Sequence, residues 1–113
     1  SLPRQRRNST LIQEVNSLEI EFNIRAPEIS LKIKESLETL LDEVENFILI
    51  IQLDYRDNNT NFNLDKIQCI NFDEYWMEIT YKNNSKMFLN YVNILEYSIV
   101  NGEELKKEGV NYA

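Results

Sequence analysis

Carboxylates are the most abundant chemically capable side chains in this sequence, because histidine, cysteine and glycine are nearly absent. The chain has no histidine, one cysteine and two glycines. Glu38, Asp42 and Glu45 recur at a spacing that puts them on or near one polar helix face, with Glu43 to one side. Carboxylate pairs divide acid and base roles in glycoside cleavage only where a cleft raises the pKa of one of them. They also bind hard cations, but a solvated face is their commonest state. Acids near a helix C-terminus oppose the dipole, so this trio is read as a contact surface for a basic partner.

The loop sequence Asp57-Asn58-Asn59-Thr60-Asn61 matches the opening of a calcium-binding loop. Such a loop needs glycine at its sixth position and a bidentate glutamate at its twelfth. Here those positions hold Phe62 and Gln68, so the segment is expected to be a hydrated turn without metal. Nucleophilic catalysis has equally little to work with. A serine or Cys69 would need a lysine or carboxylate as its base, and no serine sits in a glycine-flanked elbow. Gly102 and Gly109 stand alone, which excludes the glycine-rich phosphate loops. The expectation is a non-enzymatic chain with no catalytic residue and no cofactor.

Cys69 lies between Ile67 and Ile70 and is expected to be a small buried hydrophobe. As a lone thiol it forms no internal disulfide, which fits a reducing, cytoplasmic setting. No secretory pattern is present, so the three N-x-S/T matches are not read as glycan acceptors.

The aromatic segment 75–81 is the stronger lead. Alternation puts Tyr75, Met77, Ile79 and Tyr81 on one face and Trp76, Glu78, Thr80 and Lys82 on the other. With the first set in the core, the only tryptophan lies outside among polar neighbours. There it is either covered by a helix or loop or, with Glu78, anchors a partner. Aromatics on a sheet also stack nucleobases, but such sites need cations, and Asp73, Glu74 and Glu78 dominate here.

Charge separates the ends of the chain. The overall net charge is −7, yet residues 1–7 carry Arg4, Arg6 and Arg7 and no acid. The rest therefore repels phosphate backbones and attracts basic partners. Residues 1–10 are expected to be a flexible basic tail, and 11–113 a single domain. An alternative function follows from the tail: Arg4, Arg6 and Arg7 as an arm into a nucleic-acid groove.

The elements that would position these groups can be read from hydrophobic period. Residues 18–25 alternate apolar and polar without error, as a half-buried strand does, and Ala26-Pro27 ends it. Ile29, Ile33, Leu37, Leu40, Leu41 and Val44 fall on one helical stripe, predicting a single helix over 28–46. A competing alternation at 29–33 would instead make a short strand before a helix near Ser36. The apolar run 47–55 predicts a central strand, and 56–63 a polar loop. Strands are predicted at 66–72, 75–82 and 86–100, the last broken near Asn93, with a terminal turn at 102–108. Phe88, Tyr91, Val92, Leu95 and Ile99 also fit helical spacing, so 86–100 has a helix capped by Ser85 as its alternative. The predicted fold is α+β: one main helix packed on a mostly antiparallel sheet of about five strands, in the order β-α-β-β-β-β. Ile20, Phe22, Leu37, Leu41, Ile50 and Ile79 are its expected core.

No run is long enough to cross a membrane. The favoured function is a protein-binding or regulatory module with an acidic surface, holding a basic partner or a second copy of itself. A ligand-binding or enzymatic domain with a pocket between helix and sheet is the remaining alternative.

Overall fold

The computed structural model describes residues 18–107, with side chains through Glu104. The arginine tail and its proposed nucleic-acid role lie outside the described residues.

The α+β class holds, but the strands number seven and divide between two sheets. In chain order the elements are β1 (Glu19–Phe22), α1 (Glu28–Glu38), β2 (Phe47–Leu53), β3 (Thr60–Asn63), β4 (Ile67–Phe72), β5 (Trp76–Tyr81), β6 (Lys86–Asn90), β7 (Ile94–Asn101) and α2 (Gly102–Lys107). One sheet has the order β1-β4-β5-β6 and the other β3-β2-β7. Every pairing is antiparallel except β1 with β4. Two 3₁₀ turns, Leu64–Lys66 and Tyr91–Asn93, are the corners where the chain leaves one sheet for the other. Asn90 stabilises the second corner by accepting the Val92 N–H at 3.1 Å.

Strand alternation builds the core. Across the four-stranded sheet, Ile20, Ile70, Ile79 and Met87 form one inward row, and Phe22, Phe72, Met77 and Leu89 the next. Leu49, Ile51, Leu53 and Phe62 face them from the other sheet, and Ile33 and Leu37 of α1 join the same cluster. Burying each such side chain contributes roughly 1.5–3 kcal/mol. β2 is central in its sheet, as its apolar run predicts. On either side of α1, Lys34 lies over the Phe22 ring of β1, and Ser36 meets the Tyr97 hydroxyl of β7.

Several expectations are corrected. The helix is one element from Glu28, not a strand followed by a helix, but it ends at Glu38 rather than Asn46. The last turn has no basic residue to meet the carbonyl end, and acids crowd the sequence beyond it. The Thr39 hydroxyl donates to the Ser36 carbonyl, and the chain continues through tighter turns. Their bonds run from Leu40 N–H to Leu37 O, Glu43 N–H to Leu40 O and Asn46 N–H to Glu43 O. These turns still bury Val44, but Leu41 is 38% exposed and outside the core. The first strand stops at Phe22, leaving Ile24 89% exposed in the turn before α1.

The expected polar loop contains a strand, β3. Thr60 and Phe62 face inward opposite Ile51 and Leu49, while Asn61 and Asn63 face outward opposite Ile50 and Ile48. Ile50 is accordingly half-buried on the outer side of its sheet. Cys69 is half-exposed rather than buried. A bulge between Ile67 and Cys69 takes up Gln68, so Ile67 and Ile70 both point inward while Cys69 turns out. The candidate break near Asn93 is the second corner.

Candidate protein-interaction surface

The two sides of the four-stranded sheet differ completely. Its inner side is the core just described. Its outer side carries Glu19 and Glu21 of β1, Cys69 and Asn71 of β4, Trp76, Glu78 and Thr80 of β5, and Lys86, Phe88 and Asn90 of β6. Strand register sets these out in rows. Glu19, Cys69, Thr80 and Lys86 form one row, and Glu21, Asn71, Glu78 and Phe88 the next. Trp76 stands opposite Asn90, which makes Phe88 its diagonal neighbour.

The aromatics here are open to solvent: Trp76 is 41% and Phe88 56% exposed. Tyr75 extends the patch, its ring centroid 6.3 Å from that of Trp76. Alternation alone places Tyr75 in the core, but it is 63% exposed. The reason is the turn before β5. Asp73 N–H donates to the Trp76 carbonyl at 3.0 Å, and the Asp73 carboxylate accepts the Glu74 N–H at 2.8 Å. Tyr75 therefore belongs to the turn, beyond the covered part of the sheet. At the other end of β5, Asn84 takes a φ of 73°, a left-handed conformation that asparagine tolerates in tight turns.

Charge on this face is unevenly paired. Lys86 Nζ bonds Glu78 Oε2 and also reaches Thr80 Oγ1 at 3.3 Å. Glu19 and Glu21 have no cation within bonding distance among the described residues. Cys69 registers the resulting field: burial pushes its thiol pKa up, and the carboxylates of Glu21, Glu19 and Glu78 push it further.

The structure does not bring together all the residues singled out from sequence. Trp76 and Glu78 share the outer face of β5. Glu38, Asp42 and Glu45 lie at the end of α1 and in the turns after it, on an element that packs against the opposite, core side. Glu38 is engaged by Lys34 at 3.3 Å. Phe88, Glu19 and Glu21 escape a reading of the sequence alone. The signal that could have found Phe88 is its shared parity with Lys86 and Asn90, the polar residues of the same strand.

Other surfaces offer less chemistry. An open groove of about 600 Å³ between α1 and β7 is lined by Lys32, Glu35, Ser36, Thr39, Tyr97 and others. Its hydroxyls are engaged: Ser36 donates to the Lys32 carbonyl at 3.0 Å, Thr39 to the Ser36 carbonyl at 2.8 Å, and Tyr97 to the Lys32 carbonyl at 3.2 Å. The calcium-like segment is split between an exposed loop and β3, with Phe62 in the core. No group of three or more potential metal ligands is found among the described residues. No helix of the described residues is long and apolar enough to cross a membrane.

Comparison with protein-family models, curated proteins and solved structures finds no match to this chain. Function must therefore be read from the surface itself.

Proposed function

We propose that this chain is a non-catalytic protein-binding module that holds or neutralises a basic protein partner through the open face of its four-stranded sheet. One observation carries the reading. Trp76 and Phe88 stand exposed on adjacent strands, while Glu19 and Glu21 on the same face have no cation among the described residues. Exposed tryptophan and its aromatic neighbours are the typical anchors of protein interfaces. Unpaired carboxylates speed encounter with a cationic partner and reject anionic ones. Two copies, each with a net charge of −7, repel one another, which favours a foreign basic partner over self-association. A reducing compartment suits the single thiol on this face.

The test compares wild-type and W76A/F88A chains as immobilised baits in lysate of the source cells. Basic proteins retained by the wild type and released by salt should be lost from the variant, with circular dichroism confirming that its fold is intact. Identical retained sets on both baits would refute the proposal.

A further inference from the structure

We infer that the occupant of this face is a basic amphipathic α-helix of the partner, seated across the middle strands; the inference rests on the protein-binding reading above. Its apolar side would lie on Trp76 and Phe88, and its lysines or arginines over Glu19 and Glu21. Three observations lead there.

The first is the distribution of chemistry across the face. The aromatics stand on β5 and β6, and Glu19 and Glu21, with no cation among the described residues, on β1, with β4 between. Strands lie about 4.8 Å apart, so the two sets are roughly 10–14 Å from each other. That is about the diameter of one helix with its side chains, roughly 10–12 Å. The second is the floor between them. Cys69, Asn71 and Thr80 are short, and Glu78 is neutralised by Lys86, leaving a shallow, weakly charged valley. Long cationic side chains on a helix resting there reach outward to Glu19 and Glu21 while their stems cover apolar surface.

The third concerns backbone hydrogen bonds. An extended segment laid on a sheet face leaves its own N–H and C=O groups facing apolar rings without partners. A helix satisfies those groups internally, which is why helices are the usual cover of sheet faces. The other route for an extended segment is addition beside an outer strand of the sheet, β1 or β6. Charged side chains on both, Glu19 and Glu21 on β1 and Lys86 on β6, are a common device for discouraging strand addition.

The test uses the full chain and two synthetic peptides of about 18 residues, long enough to hold a helix. One is an amphipathic leucine–lysine helix. The other has the same length and net charge, with prolines in place of some leucines so that it stays extended. Trp76 is the only tryptophan, so its emission reports the face directly, and alkylation of Cys69 reports cover over the valley. The helical peptide is expected to shift Trp76 emission to the blue and slow Cys69 alkylation. Its affinity should fall about fivefold in E19Q/E21Q, the effect of two partly exposed charge pairs, and stay unchanged in E38Q/E45Q. F88A should weaken it by about tenfold or more. Equal binding by the proline peptide would overturn the helix while leaving the binding face standing. Equal loss in E38Q/E45Q, or no response of Trp76 to either peptide, would also overturn it. The bait comparison with W76A/F88A then decides the broader reading on its own.

Discussion

The two sheets of this protein share one core but present different exteriors. On the three-stranded sheet the outer positions carry Asn61, Asn63, Gln52, Ser98 and Glu96, with Ile48 buried and Ile50 and Val100 half-buried among them. A concavity near Ile50, lined also by Asn59 and Tyr97, is about 140 Å³. Polar side chains predominate there and the apolar ones between them are mostly covered, while Leu95 at the irregularity in β7 is 60% exposed. On the four-stranded sheet the corresponding positions carry Trp76, Phe88 and carboxylates with no cation among the described residues. Both faces obey the same alternation, and both are wet. The difference teaches that strand parity decides which residues are outside, while the residue types placed there decide whether the outside is merely soluble or able to bind.

Substitutions can break that contrast in order of effect. The largest belongs to the shared core. Phe72→Ala should lower unfolding free energy by about 3–5 kcal/mol in a denaturant titration, since it empties a fully buried site in the core cluster that residues of both sheets make up. A loss below about 1 kcal/mol would mean the two sheets do not share a core. Next, Trp76→Ala should cost about 2 kcal/mol or more of partner affinity by calorimetry while changing stability by less than about 0.5 kcal/mol. Asn61→Ala, on the other sheet, should change neither by more than about 0.5 kcal/mol. Reversal of these two results would assign binding to the wrong sheet.

A smaller effect tests the corner that joins the sheets. Burial holds the Tyr91 hydroxyl well above the ordinary tyrosine range, with the neighbouring Ser30 hydroxyl opposing the shift and Asp73 adding to it. Ser30 donates to the Pro27 carbonyl, and the Tyr91 hydroxyl has no partner in bonding geometry. A folded-state pKa raised above the unfolded one gives stability that is complete below the unfolded tyrosine pKa of about 10. That stability is lost as pH rises from there toward the folded value. Tyr91→Phe should therefore flatten the fall in melting temperature above about pH 10 and change stability at pH 7 by less than about 1 kcal/mol. Unchanged alkaline slopes in the variant would contradict this assignment, although Tyr81, raised by burial, contributes in the same direction. The smallest effect is on Cys69. Glu21→Gln removes one of the charges that raise the thiol pKa, so alkylation at pH 8 should quicken by less than about threefold. A slower rate would place Glu21 off this face.

Much of the fold was legible because period-two alternation is local. The inward parity of Ile20 and Ile79 and the outward parity of Trp76 follow from residue order alone, whereas the row they form with Ile70 comes from strand pairing. What was not legible depends on partners distant in sequence. Thr60-Asn61-Phe62-Asn63 reads as a loop because asparagine is poor in strands, and becomes a strand only through pairing with β2. Leu40, Leu41 and Val44 satisfy helical spacing, but a run of tighter turns delivers Val44 to the core just as well. Cys69 turns outward because a bulge at Gln68 shifts parity within an apolar stretch. At the surface, an acidic cluster and a tryptophan are each visible in the residue order, but only the packing of α1 on the inner side shows that Glu38, Asp42 and Glu45 lie apart from Trp76. The pairing of β1 with β4 supplies the acids that do share its face.

The most direct test of the account is a covalent footprint on the complex captured from lysate. Cys69 lies in the middle of the open face, so its alkylation, read by mass spectrometry, should fall several-fold in bound chains relative to free ones. Equal labelling of bound and free protein would place the partner elsewhere and contradict the assignment of this sheet as the binding surface.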